Sequence, residues 1–345
     1  MKRGMVRLTI DMSSPLVIWG KGIRRGYEIK TPVYSYDVGA TMAALLGVKL
    51  PRICTGRAVT EAFDRSRTND GAKRAKPAVA HPRHTVFIGI SSWSSAYTDD
   101  TLKIPNLRQL MAEGAWTMKK QSVIMPWLAV NWASIFMAAG PEQHGFNAAG
   151  STKSAFPPLV TLGNGRFPDV FALCRAAEPQ AKIGFTYGHW KAMASLIDTN
   201  ACDFVCGDKA SDKAGIAFMT KEKPRLMAFT FATPYCKGWG TPRYRQALEQ
   251  IDVQVGDILG AIKSSGMADD TVVIVTSDTG GDKAWGYVTS EDMATPLIIW
   301  GKGVRRGHEL KTPVYSYDVG ATMAALLGFE LPQICTGRAV EEAFD

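Results

Sequence analysis

Residues 271–281 read TVVIVTSDTGG. The first six form a short, almost continuous apolar run with no polar alternation, as expected of a strand buried on both faces within a parallel sheet. The segment that follows holds an aspartate and two glycines. It lies at the strand's carboxyl end, where open α/β folds gather their chemistry. Outward from this stretch the pattern repeats. Residues 86–90 (VFIGI), 182–187, 226–231 (LMAFTF) and 296–300 (PLIIW) are further strands. Between them, residues 105–114 form a helix opened by Pro and closed by Gly, and 167–177 form a second. The longest helix starts at Thr241–Pro242, carries Leu248, Ile251, Val255, Ile258, Leu259 and Ile262 on one face, and stops before Gly266. A last helix spans 318–328, with Asp318 as its N-cap and Gly328 just past its end. Alternating strands and helices predict an α/β sandwich with a mostly parallel central sheet and helices on both faces. Its chemistry belongs at Ser91–Ser92, in 232–240 and in 277–281.

A second feature sets the domain organisation. Residues 14–64 align without a gap to 295–345, and 42 of the 51 positions are identical. No shorter period fills the space between, so this is no solenoid. The expected arrangement is a duplicated copy of the domain's C-terminal tail at 1–64, a basic flexible linker at 65–84 and a complete domain at 85–345. One domain has only one place for such a tail. The surplus copy, with a strand at 15–19 and a helix at 37–47, is expected either to join two chains into a homo-oligomer or to stay loosely packed.

The net charge of +8 points less to a nucleic-acid partner than it first suggests. Residues 65–84 hold six Lys or Arg and one Asp, a local net charge of +5, so the basicity resides mostly in a polar, Pro-containing stretch of the kind that is simply solvated. Nucleic acid is therefore not expected as a partner. The six cysteines have neither disulfide-framework nor zinc spacing and read as reduced thiols. The first twenty residues are interrupted by Asp11 and two serines, unlike a signal peptide, and no apolar run reaches the roughly 20 residues of a membrane span. A cytoplasmic location is the default expectation.

Six stretches carry a family likeness: VFIGISSWSSAY (86–97), IPNLRQLMAEGAW (104–116), NWASIFMAAGPEQHGF (131–146), GWGTPRYRQALEQID (238–252), VVIVTSDTGG (272–281) and EDMATPLIIWGKGV (291–304). In order, across about 85–345, they resemble the alkaline phosphatase superfamily, in its type I phosphodiesterase/nucleotide pyrophosphatase branch. The resemblance implies an alkaline-phosphatase-like α/β sandwich. In active relatives two divalent metals, usually zinc, turn a Thr or Ser hydroxyl into a nucleophile for phosphorus and neutralise the transition-state charge.

Carried across position by position, that machinery is almost absent. The first metal-binding Asp is replaced by Ser91. The nucleophile, three residues before Asn131, is Leu128. The D-x-x-G-H motif becomes Tyr235–Cys236–Lys237–Gly238–Trp239, and Asp-His-Gly-Gly becomes Asp278–Thr279–Gly280–Gly281. The final His-Gly is represented by Trp285–Gly286. One ligand position in six, Asp278, keeps its residue type. Shifting the alignment does not repair the site. Asp99 and Asp100 lie beyond an apolar turn, and Ser122 and Ser134 are off the nucleophile position. His81 and His84 fall in the linker, His144 matches a structural turn, His189 has no counterpart among the ligands, and His308 lies in the repeated tail.

The resemblance therefore implies a non-catalytic member lacking five of six ligands and the nucleophile, with no cofactor and with Asp278 serving as a strand-end helix cap or turn former. Its vestigial pocket comprises Ser91, Leu128, Asn131, Tyr235, Trp239, Asp278, Thr279 and Trp285. The alternative is an active metal-dependent phosphoric ester hydrolase (phosphodiesterase/pyrophosphatase) with a rebuilt site, using Asp278, Asp282 and Asp99 to hold zinc or another divalent metal.

Overall fold

The computed structural model describes residues 13–51, 53–64, 77–188, 190–207, 210–231, 238–280 and 289–345. The chain divides into two compact units, one up to residue 75 and one from residue 76.

The first unit contains helix α1 (Ser35–Leu46) and a small core of Val59, Ala62 and Phe63, against which Ile18, Ile23, Ile29, Val33 and Leu45 pack. Asp37 is the third residue of α1; its carboxylate accepts from the Tyr34 N–H at 2.9 Å and so closes the first turn. Residues 15–19, expected as a strand, have no regular structure. A strand needs a ladder partner, and none of the described residues supplies one.

The second unit runs β1 (His84–Ile90), α2 (Pro105–Glu113), β2 (Ala115–Gln121), α3 (Leu128–Met137), α4 (Pro141–His144), α5 (Val170–Ala177), β3 (Ile183–Tyr187), β4 (Phe204–Cys206), α6 (Ser211–Glu222), β5 (Leu226–Phe231), α7 (Pro242–Ser264), β6 (Thr271–Thr276), α8 (Ser290–Met293), β7 (Ala294–Gly301), β8 (His308–Glu309) and α9 (Ser316–Leu327). It begins ahead of residue 85: Val79 and Ala80 already pack on the core and His84 opens β1. The strands form one eight-stranded sheet in the order β4-β3-β5-β1-β6-β7-β2-β8. All neighbours are parallel except β7, which runs antiparallel to both β6 and β2.

Alternate side chains of the central strands enter two separate cores. Phe87, Val272, Ile274, Leu297 and Ile299 face α3, α5 and α9, where Trp132, Phe136 and Phe171 stack edge and face. Val86, Ile88, Val273, Val275 and Ile298 face the other way, onto Leu107 and Leu110 of α2 and Leu248, Ile251, Val255 and Ile258 of α7. Burial on both faces is why these strands read as unbroken apolar runs.

Two expectations need adjusting, and two elements went unmarked. The helix expected at 167–177 starts at Val170, because the Asp169 carboxylate accepts from the Phe171 and Ala172 N–H groups and fixes the cap there. Asp318 is not the N-cap of α9. Tyr315 is, and Asp318 sits three residues into the sequence of the cap motif, accepting from the Tyr315 N–H at 2.8 Å. Strand β2, between β7 and β8 in the sheet, and helix α3, in the core on one face of it, were not marked by the sequence, because neither shows a simple amphipathic period. Every residue of α3 is buried.

Candidate functional site

Because β1 and β6 are parallel and β2 is parallel to β6 through antiparallel β7, the carboxyl ends of β1, β6 and β2 open on one edge of the sheet. The N-terminus of α9 joins that edge, since the Gln121 N–H donates to Val314 O at 2.8 Å. Ser91–Ser92 and Ser277–Thr279, two of the strand ends marked by the sequence, therefore meet Ser122–Val123, which the sequence did not mark as a strand end, beside the start of α3.

Asp278 is fully buried and spends its carboxylate on the β1 end. Its Oδ1 accepts from the Ser92 N–H at 2.8 Å, and the Ser91 hydroxyl lies 3.4 Å from both oxygens. Ser92 has φ 61°, a left-handed conformation that a serine adopts only when its surroundings impose it. Asp278 holds its N–H, and the Tyr244 hydroxyl of α7 donates to its carbonyl at 2.9 Å. The same hydroxyl accepts from the Ser94 N–H, while Ser277 Oγ accepts from the Trp93 N–H at 2.8 Å. Asp278 is thus a turn former, tying β6 to β1 rather than capping a helix. Burial pushes its carboxyl up to about 6, against hydrogen bonds from Ser92 and the neighbouring backbone and the pull of the Lys120 ammonium.

Lys120, near the end of β2, was not marked by the sequence. Its side chain is wholly buried, and Nζ donates to Ser316 Oγ at 3.1 Å. Ser316 in turn donates to Asn131 Oδ1 at 3.1 Å, an oxygen that also accepts from the Val123 N–H at 2.8 Å. The Asn131 amide nitrogen donates to the carbonyls of Met125 (3.2 Å) and Trp127 (3.3 Å). This network fixes the start of α3, where buried Leu128 presents no hydroxyl. Burial drives the Lys120 ammonium down to about 7 despite the charges of Asp278 and Asp318, and burial lifts Asp318 to about 6. One amine and two carboxyl groups are thus buried together at the strand ends.

Other residues singled out by the sequence have different tasks. Asp99 pairs with Arg245 at 2.8 Å and Asp100 lies 3.6 Å from Arg108, both at the exposed end of α7 and α2. Ser122 Oγ donates to the Asp278 carbonyl at 2.7 Å. Ser134 Oγ donates to Val130 O at 3.0 Å and so accepts from His144 Nε2, 2.9 Å away, while His144 Nδ1 accepts from the Phe146 N–H at 3.0 Å. That pattern assigns the neutral, Nε2-protonated tautomer, and burial holds the imidazole down at about 3. Trp239 packs against the α2/α7 core, and Thr279 is buried next to Asp278. Tyr235, Asp282, Trp285 and His189 lie outside the described residues. Among the described residues, no three His, Cys, Asp or Glu side chains gather in a group able to hold a metal ion.

Residues 217–329 match the Sulfatase family model. Among curated proteins, the phosphopentomutase of Methylobacterium nodulans is 31% identical over 109 residues, which is 32% of this chain and 25% of that protein. The phosphopentomutase of Desulfitobacterium hafniense is 27% identical over 136 residues, 39% of this chain and 33% of its own length. The chain thus spans about a quarter to a third of the curated relatives it matches. Among solved structures, the lipoteichoic acid synthase LtaP of Listeria monocytogenes superposes with a TM-score of 0.60 at 14% identity, covering 79% of each chain. Murine ectonucleotide pyrophosphatase / phosphodiesterase 5 gives a TM-score of 0.60 at 11% identity, covering 76% of this chain and 100% of the other. A 2-O GAG sulfatase gives 0.59 at 13% identity, with 76% and 74% covered. The sheet and its helices have the α/β sandwich fold of these structures, and residues 217–329 carry the likeness to the Sulfatase model.

Proposed function

We propose that this chain is a non-catalytic member of the superfamily, of the phosphodiesterase/nucleotide pyrophosphatase branch, that keeps the hydrolase scaffold without its metal chemistry. The observation that carries this reading is the Lys120 ammonium buried within the field of Asp278, the one retained ligand. A pair of divalent cations needs several anionic and imidazole donors to replace its hydration shell. Among the described residues the donor set does not fit. Asp278 is already held by the Ser92 N–H, the other carboxyl that interacts with Lys120, Asp318, accepts from the Tyr315 and Arg338 backbone N–H groups, and the Lys120 amine supplies no anionic donor. Leu128 adds an apolar side chain where attack on phosphorus or sulfur would require a hydroxyl or its equivalent. The NWAS segment and a structural relative covered along its whole length support the branch assignment.

The test is metal content by mass spectrometry on tag-free protein dialysed against trace zinc and manganese, followed by assays with nitrophenyl phosphate and sulfate esters. The expected result is metal far below one ion per chain and no turnover above buffer. Stoichiometric metal together with turnover would overturn the proposal and favour a rebuilt hydrolytic site.

A further inference from the structure

The two tail copies fold alike, but among the described residues only the second has its helix packed against other helices. In the first unit the Arg57 N–H donates to Asp37 Oδ1 at 2.8 Å and the Val59 N–H to Thr41 Oγ1 at 3.0 Å; in the second the Arg338 N–H donates to Asp318 Oδ1 at 2.8 Å and the Val340 N–H to Thr322 Oγ1 at 3.0 Å. Tyr34 stacks on Tyr36 and Tyr315 on Tyr317, each with ring centroids 5.4 Å apart. The isolated bridge Ile23–Phe63 recurs as Val304–Phe344. Helices α1 and α9 have the same twelve residues, SYDVGATMAALL.

Their outer faces differ. In α9, Met323 and Leu327 are 0% and 3% exposed, packed towards α3 and α5; in α1 their counterparts Met42 and Leu46 are 58% and 75% exposed. A Cβ on Gly320 would lie 2.1 Å from Ile135 O of α3, whereas a Cβ on Gly39 would meet nothing within 4 Å. The first unit therefore carries a preformed tail whose docking face has its known complement elsewhere in the same chain. That complement is the body of the domain, residues 77–293.

The connection also closes. The Asp345 N–H donates to Gly303 O at 3.2 Å, and Ala80 Cβ lies 3.0 Å from where a Cβ on Gly303 would be. The end of the bound tail and the start of the domain body are thus neighbours. Asp64, the counterpart of Asp345, is joined to Pro77 by twelve intervening residues, a reach of up to about 40 Å. Neighbouring ends of this kind are what circular permutation requires.

We propose that either tail copy can complete the domain, so that one chain encodes two overlapping folds: the direct domain 77–345 and a circularly permuted one built from 14–64 and 77–293. The C-terminal copy holds the place in the structure. The N-terminal copy, tethered at high effective concentration, takes it when the other is lost, and residues 15–19 then become the strand that β7 supplies now.

The test uses the full-length chain with Gly320→Gln, Gly39→Gln and both together, read by thermal unfolding and by hydrogen exchange with mass spectrometry. The copies differ at Val48/Phe329 and Lys49/Glu330, so their peptides are distinguishable. G39Q should leave unfolding unchanged. G320Q should stay folded and monomeric, with slow exchange transferred from 316–340 to 35–59. The double variant should lose the cooperative transition or melt lower by on the order of 10 °C. The proposal is overturned if G320Q alone behaves as badly as the double variant, or if both stay folded with protection still on the C-terminal copy. Transfer of protection accompanied by dimerisation also overturns it, because exchange would then occur between chains.

Discussion

Replacing Lys120 by Met removes a buried ammonium from between two buried carboxylates, and the consequence is best read as a slope against pH. A lysine that titrates near 10.5 when unfolded is held down to about 7 in the fold. Between those values the unfolded chain binds more protons than the native one, so stability must rise with pH across that window. The penalty of the buried charge is fully present below pH 7 and is relieved as the native amine deprotonates. Each pH unit past the native value is worth about 1.4 kcal/mol, and the amine is half protonated at pH 7, so the gain from pH 7 to about 8.5 is roughly 1.6 kcal/mol. The lysine dominates that window. Asp278 and Asp318 are raised only to about 6, and His144 is neutral well below it. Cys174, pushed up to about 11, and Cys202, raised further by burial, keep their protons while the unfolded thiols begin to lose theirs from about pH 8, which trims the rise by a few tenths of a kcal/mol in both proteins.

Urea unfolding at half-unit steps from pH 7 to 8.5 measures this directly. The wild-type midpoint should climb across the series. K120M, whose thioether fills nearly the same volume, lacks the titrating amine and should not show this rise; without the Lys120 charge the Asp278 and Asp318 carboxyls are held higher still, so its midpoint should fall slightly across the series. Parallel slopes in the two proteins would refute the reasoning, since the rise would then belong to another group.

Two further substitutions probe the rest of the edge. His144→Gln should change the pH profile on the acid side: the imidazole is held down at about 3, so the wild type gains stability from pH 5 to 7 relative to H144Q by about 2 kcal/mol, measured as the difference between their urea midpoints; a constant difference would show that His144 titrates in the fold as it does in the unfolded chain. Leu128→Thr restores a hydroxyl at the family's nucleophile position, costs about 1–3 kcal/mol of stability for burying a polar group, and should still release no nitrophenolate from phosphate or sulfate esters; turnover by L128T would mean that metal binding had survived.

The strands and the long helix were legible because their cause is local. Residues 86–90, 226–231 and 271–276 are apolar on both faces as parallel central strands must be, and α7 has an apolar stripe, a Thr241 cap and Gly266 beyond its end. Buried α3 escaped the same reading for the opposite reason. A helix surrounded by protein has no polar face, and without one there is no period to see. The family pattern located Ser91, Leu128, Asn131 and Asp278, and these do gather at one edge of the sheet.

Lys120 was hidden by a single residue. Thr117 pairs with Leu297 and Lys120 with Thr295, so β2 has one residue more than β7 between those pairs. Simple alternation from buried Ala115 and Thr117 would turn Lys119 inward and leave Lys120 in solvent. The bulge reverses the parity, exposing Lys119 and burying Lys120. No pattern in MKKQ distinguishes the two lysines, because the register is set by the partner strand. The charge at the centre of the site therefore comes from a long-range pairing event. A reading based on ligand positions alone sees only what has been removed from the edge, whereas the fold has also put a positive charge there.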